Sequence, residues 1–243
     1  MKVTFQGFGE HLASSRLRAY SIQPFFDKGN DVLVIGKHGW PIEIIEQFGM
    51  FVYDVCDWRD ENIPYCHAAD LITCNSEVMA AVIYSATGLD AHVIPDPYEG
   101  DEREAKVGES LLWFGHQTNL KDLEPYSDLP IKILTGNEWS IEAQKKALDE
   151  CGMVIIPTGQ RKTKSANRVL EAIRAGRMPV VGHMPSYSEF SEYIPIGDIR
   201  EGIERVLANP SKSVEQIKEA QDYIRDKYSP ATIARKWKRV ING

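Results

Sequence analysis

Residues 151–181, CGMVIIPTGQRKTKSANRVLEAIRAGRMPVV, read as strand, basic loop, helix and strand. The run MVII and the run MPVV are short, apolar and rich in β-branched residues, as in strands buried on both faces. Between them, Val169, Leu170 and Ile173 recur at helical spacing, and Gly176 stands where a helix stops. A strand, a helix and a second strand make one parallel unit. The loop carries Lys162, Lys164 and Ser165 at the start of the helix, with Ser165 the predicted N-cap. Cations beside the positive end of a helix suit an anionic ligand, so the question is what the loop holds.

The same alternation runs outward in both directions. Upstream, KVTFQGF, DVLVIG, MFVYDVCD, DLITC and AHVIP read as strands, separated by helical stretches at SSRLRAYSIQPFFDKG, IEIIEQFG, IPYCHAA and SEVMAAVIYSATG. Residues 96–109, DPYEGDEREAKVGE, break the pattern with acidic residues, Pro97, Gly100 and Gly108, and read as a linker. Strands SLLWFG and IKILTG, the helical stretch LKDLEPY and the helix SIEAQKKALDEC then lead into the opening stretch. Three amphipathic helices close the chain, with stops at Asn209-Pro210 and Ser229-Pro230. The expected fold class is therefore α/β, with two Rossmann-like domains facing a cleft at the carboxyl ends of their sheets. The N-terminal, acceptor-side domain spans 1–95 and the C-terminal, donor-side domain 110–228. The helix over 229–243 packs back toward the N-terminal domain.

Bulk properties narrow the function. The chain has 243 residues, 43% of them hydrophobic, enough for one large domain or two small ones. A net charge of -7 argues against a general nucleic-acid binder, so any anion must be met by a local basic cluster. The longest apolar runs fall far short of the roughly 20 residues that span a bilayer, and MKVTFQGFGEH has no signal-peptide core. Cys56, Cys66, Cys74 and Cys151 are scattered without a CxxC pair, which points to reduced thiols in a cytoplasmic protein, without zinc or a disulfide frame.

Two phosphate motifs fail on spacing. A P-loop requires Gly immediately before Lys164 and again five residues earlier, and Thr163 and Thr158 stand there. The first loop supplies Gly7 and Gly9, but Leu12 replaces the third glycine of a dinucleotide fingerprint.

The segment NRVLEAIRAGRMPVV resembles the C-terminal half of nucleotide-sugar glycosyltransferases of the two-domain GT-B type, especially the large retaining group called family 4. Glu171-Ala172, Gly176 and Pro179-Val180-Val181 fall on the second half of that family's Glu-x7-Glu pattern. WFGHQTNLKDL is similar to its strand-Gly-Arg loop, with Gly115 and Lys121 at the matching spacing. YDVCD, AADLITCNSEVMAAVIYSATGLDAHVIPDPYE is similar to its run from the last N-domain strands into the linker. The resemblance covers about residues 50 to 182 and rests on the order and spacing of its motifs together.

The resemblance implies a glycosyltransferase that moves a sugar from a UDP- or GDP-sugar to a glycan or small-molecule acceptor, with retention, and without cofactor or metal. It implies that Glu171 binds the ribose hydroxyls, that Lys121 neutralises the diphosphate, and that the amides of Asn167 and Arg168 meet the distal phosphate. Gly115, His116, Lys162, Thr163, Lys164 and Ser165 complete the expected donor side. Two positions depart from the family. Thr163 stands where the first Glu belongs, and His116 where the phosphate arginine belongs, so Arg161, Lys162 or Lys164 is the expected replacement cation.

On the acceptor side, GFGEHLASSRLRA follows the first strand and places Gly7, Gly9, Glu10, His11, Ser14 and Arg16 at the expected cleft, with His11 or Glu10 as candidate base. Asp54 and Asp57 end the third strand, and their spacing fits no oxygen-ligand loop for a metal. Two further readings stay open: a glycosyltransferase-like protein that binds nucleotide or sugar without turnover, and an NTP-dependent enzyme using the 158–165 loop.

Overall fold

The computed structural model describes residues 1–36, 41, 45–159 and 162–243. Arg161 and the first three residues of the expected helix IEIIEQFG lie outside the described residues. In chain order the elements begin with β1 (Val3–Gln6) and α1 (Ala13–Ser15), which runs on as a π-helical turn, Arg16–Tyr20. Next come β2 (Val32–Gly36), β3 (Met50–Val55), α2 (Ile63–Ala68), β4 (Leu71–Cys74), α3 (Glu77–Thr87) and β5 (His92–Val93). They are followed by β6 (Leu111–Phe114), β7 (Ile131–Leu134), α4 (Ile141–Glu150), β8 (Met153–Ile156), α5 (Asn167–Arg174) and β9 (Met178–Val181). Three helices end the chain: α6 (Ile199–Ala208), α7 (Pro210–Tyr228) and α8 (Pro230–Asn242).

Among the described residues the strands form two all-parallel sheets, one ordered β1-β2-β3-β4-β5 and the other β7-β6-β8-β9. The chain divides into two compact units. The first comprises Met1–Glu99, Thr163–Ser165 and Lys227–Gly243; the second comprises Gly100–Lys162 and Ala166–Asp226. The chain passes from one unit to the other at Glu99 and Gly100.

In the first unit, alternation along the strands splits the core into two layers. Val3, Phe5, Val32, Val34 and Val52 face one way and meet Ala19, Ile22 and the stripe Ile233, Ala234, Trp237 and Ile241 of α8. Leu33, Ile35, Phe51, Tyr53 and Val55 face the other way and meet Ile45, Cys66, Met79 and Ile83. The strand order advances in one direction while the connections change face. The β1–β2 connection therefore has the opposite hand to the β3–β4 and β4–β5 connections, against the strong general preference for a single hand. It leaves β1 as a sheet edge, which the chain closes itself. Gln23 accepts from the Phe5 amide (2.9 Å) and donates to the Val3 carbonyl (3.0 Å), and the Val3 amide donates to the Asp27 carbonyl (2.7 Å).

One expected helix is shorter than its sequence suggests. The stretch 14–29 leaves helical geometry at Tyr20 and resumes only as a single 3-10 turn, Gln23–Phe25. Pro24 brings no N–H to a helix interior, and Gln23 is committed to the β1 edge instead.

In the second unit β6, β8 and β9 are buried along their whole length, the signature of strands covered on both faces. The chain leaves β6 toward β7 on one side and returns to β8 on the other. This change of direction makes a topological switch point at the carboxyl ends of β6 and β8, where open α/β sheets take their ligands.

Candidate functional site

The residues around the switch point are Gly115, just after β6, and the first turns of α5. Gly115 is anchored by its amide on the Leu134 carbonyl (3.3 Å) and by the Thr135 hydroxyl on its own carbonyl (2.7 Å). Arg168 reaches over from α5, and its Nη1 donates to the Phe114 carbonyl (3.3 Å). A Cβ on Gly115 would stand 3.2 Å from the Trp113 ring and 3.4 Å from that same Nη1. Glycine thus avoids a tight contact with the Trp113 ring, and the guanidinium lies at ordinary contact distance. Arg168 also holds the hydroxyl of Tyr187, a fully buried ring; burial pushes that hydroxyl's pKa up, and the guanidinium opposes the shift.

Glu171 lies three residues on, and residues so spaced are neighbours on a helix. It is 7% exposed, so the alternative of a solvent-facing glutamate is excluded. Gln144 of α4 donates from Nε2 to Glu171 Oε2 (3.2 Å), and Trp139 Nε1 donates to Gln144 Oε1 (2.7 Å). A buried carboxylate needs such donors, because an unpaired one is costly. Gln144 and Trp139 escaped the sequence reading, since nothing in SIEAQKKALDEC distinguishes an inward glutamine from a solvated one.

The start of α5 differs from expectation. Ser165 is not the cap: Ala166 holds that position without a side-chain bond, and Asn167 Oδ1 accepts from the Arg168 amide (2.8 Å). The asparagine is the better local acceptor, so one of the two amides expected to meet phosphate is already paired. Lys162 is exposed, while Thr163, Lys164 and Ser165 group with the first unit rather than with α5. Lys121 is exposed on the 3-10 segment Gln117–Tyr126. His116 caps that segment, its Nδ1 accepting from the Thr118 amide (3.3 Å).

In the first unit the carboxyl ends of β1, β2 and β3 line a small pocket of mixed polarity, with Gln6, Ser14, Arg18, Val34, Asp54 and Cys56 among its walls. Arg18 is its centre. Nε and Nη2 donate to the two oxygens of Asp54 (2.5 and 2.6 Å), and Nη1 donates to Asp96 (2.9 Å) and the Ile94 carbonyl (2.7 Å). Thr73 Oγ1 donates to Asp54 as well (2.7 Å). Burial by itself would lower the Arg18 pKa; the adjoining Asp54 and Asp96 outweigh it and hold the guanidinium well above its ordinary value. Burial, then the Asp54 charge, pushes the Cys56 thiol up, which keeps it protonated.

Nothing in the stretch RLRA distinguishes Arg18 from Arg16. Arg16 itself is engaged by Glu99 through Nε and Nη2 (2.7–3.1 Å) and by the Glu10 carbonyl through Nη1 (2.8 Å). Glu10 and His11 are exposed on the loop after β1, and Asp57 is exposed beyond β3. The glycine loop is packed by its own chain. Ser15 Oγ accepts from the Phe8 amide (2.9 Å), Tyr20 accepts from the Gly9 amide (3.1 Å), and a Cβ on Gly7 would meet the Tyr20 ring at 2.5 Å. The backbone at Gly7 is thus covered by Tyr20. Among the described residues, no group of three or more His, Cys, Asp or Glu could hold a metal, and no helix is long and apolar enough to cross a membrane.

Two parallel sheets, each covered by helices, with a switch point in the second, define the architecture of the GT-B glycosyltransferases. Solved structures share it. HepE of Anabaena, in complex with UDP and glucose, matches with a TM-score of 0.63 at 12% identity over 98% of this chain and 85% of its own. A TarM variant of S. aureus, in complex with Fondaparinux, alpha-GlcNAc-glycerol and UDP, matches with a TM-score of 0.62 at 11% identity over 87% of this chain. The chain spans 55% of the length of TarM. An alpha-glucosyltransferase in complex with UDP-glucose and DNA containing an abasic site matches with a TM-score of 0.54 at 12% identity over 99% of this chain and 80% of its own. No protein-family model matches the sequence, and no curated protein matches it.

Proposed function

We propose that this protein transfers a sugar from a nucleotide-sugar donor to a glycan or small-molecule acceptor. The observation that carries the reading is Glu171, a buried carboxylate held by Gln144 and standing one helical turn beyond Arg168 at the switch point. A carboxylate accepts from two vicinal hydroxyls at once, which suits a ribose, and a guanidinium one turn away suits the phosphates attached to it. The UDP and UDP-glucose complexes among the fold relatives support a uridine donor, and a GDP-sugar is the variant to test beside it. Stabilising the departing diphosphate is an electrostatic contribution to catalysis, and no metal or cofactor enters the proposal. Lys121 adds charge to the same phosphates, while Glu10 or His11 acts as base toward the acceptor. Retention of configuration completes the reading on the strength of the sequence resemblance, and a cytoplasmic setting on the scattered, unpaired cysteines.

The test is calorimetry with UDP, GDP and their nucleosides, followed by a donor-hydrolysis assay with UDP- and GDP-sugars. Glu171→Ala is expected to weaken nucleoside and diphosphate about equally, because ribose is common to both. Lys121→Ala is expected to weaken the diphosphates about tenfold or more and leave nucleosides unchanged. Absence of any nucleotide affinity in the wild type overturns the proposal. Affinity without hydrolysis or transfer, for any donor or acceptor tried, favours a binding protein, a reading suggested by Thr163 standing in place of a carboxylate.

A further inference from the structure

Two of the candidate lysines are poorly organised to serve as the phosphate cation, while Lys164 is half-buried and groups with the first unit. Lys162 and Lys121 are exposed, with long side chains that must be ordered on binding. Arg168 is different in three respects. It is half-buried, its Nη1 is tied to the Phe114 carbonyl at the end of β6, and its guanidinium is hydrogen-bonded to the Tyr187 hydroxyl. Gly115 lies beside it, 3.4 Å from Nη1 measured at the position a Cβ would take. The position is the switch point of the sheet, outside the carboxyl ends of β6 and β8.

We propose that the Arg168 side chain, and neither His116 nor a lysine of the basic loop, is the principal diphosphate-binding cation of this protein. The inference rests on the nucleotide-sugar reading above and deepens it by naming the residue. A guanidinium carries five N–H donors in a fixed fork, and the bonds to Phe114 and Tyr187 orient that fork without consuming it. Phosphate oxygens matching the fork gain paired charge-assisted bonds with little further ordering of the arginine. His116 is less suited to the role because its Nδ1 caps the following 3-10 segment, which leaves only Nε2 to face an anion.

The experiment is calorimetry of UDP, GDP, uridine, guanosine and inorganic pyrophosphate against wild type, Arg168→Ala, Arg168→Lys and Tyr187→Phe. Arg168→Ala is expected to weaken UDP or GDP and pyrophosphate about ten- to a hundredfold while nucleoside affinity holds. Arg168→Lys is expected to recover part of the loss, since it keeps the charge and loses the fork. Tyr187→Phe is expected to weaken the diphosphates severalfold by releasing the guanidinium. If Arg168→Ala does not fold, the Lys and Phe variants decide the matter. A wild type that binds nucleoside diphosphate, with variants that bind it equally well, overturns this inference and leaves the nucleotide-sugar reading standing. Pyrophosphate binding that depends on Arg168, without affinity for any nucleotide, keeps the anion site and removes the nucleotide-sugar reading. A wild type that binds neither overturns both.

Discussion

Arg18 sits where two carboxylates converge, and its burial is tolerable only because every partner is in place. Replacing it with Met would leave Asp54 and Asp96 buried without their cation. The expected cost is about 3–5 kcal/mol, measured as a fall in the urea midpoint. Removing one carboxylate too, in Arg18→Met with Asp54→Asn, is expected to restore part of that loss; a double variant as weak as the sum of its parts would show that charge pairing is not the cause. The sequence could not separate Arg18 from Arg16, two cationic residues in a polar helix start. The π-helical turn turns Arg18 inward to Asp54 and leaves Arg16 to Glu99. Glu171 was legible as a candidate because its motif surrounds it, but its burial and its Gln144 partner were not, since both depend on how α4 packs beside α5.

At the scale of elements, the sheet edge and the glycine turns carry the sharpest expectations. Gln23→Ala removes both bonds that its carboxamide makes to β1, so it is expected to destabilise the protein by about 1–3 kcal/mol. Gln23→Glu, which keeps an acceptor for Phe5 but loses the donor to Val3, is expected to lie between Ala and wild type at neutral pH. Gly176 ends α5 with φ +69°, and a Cβ there would stand 2.4 Å from the Glu104 carbonyl oxygen. Gly176→Ala is therefore expected to cost more than the roughly 1–2 kcal/mol of a left-handed residue alone, because backbone must also move. Strands such as MVIIP and MPVVG were legible because short apolar runs bounded by turn residues have few other uses. The end of the first helix was legible only in part: Pro24 is a local breaker, but the commitment of Gln23 to the β1 edge is a tertiary demand.

For the whole molecule, buried thiols set an alkaline limit. Burial raises Cys66, Cys74 and Cys151 from an ordinary 9.0 to about 11. The native state therefore holds three protons that the unfolded chain releases first. Their stabilisation is complete below about pH 9 and is lost as the pH rises through about 11, so the urea midpoint is expected to fall across that window. Replacing the three thiols with Ala should flatten that fall, and an unchanged slope would assign it to other groups, such as the buried Tyr53 and Tyr187. The last helix is the other global device. Ile233 and Trp237 of α8 are fully buried in the first unit's core. Ending the chain at Ser229 is expected to abolish cooperative unfolding of that unit, read from hydrogen exchange in β1 and β2.

The sequence by itself determined the element types, their parallel alternation and the Glu171 motif, because these follow from local periodicity and residue spacing. Only the tertiary structure decided which cation stands at the switch point, which arginine is buried, and how the edge of β1 is closed. Those outcomes depend on contacts between residues as far apart as Arg168 and Phe114 or Arg18 and Asp96. A one-dimensional pattern records which side chains are present and how they are spaced, but distant groups acquire a geometry only when the sheets form.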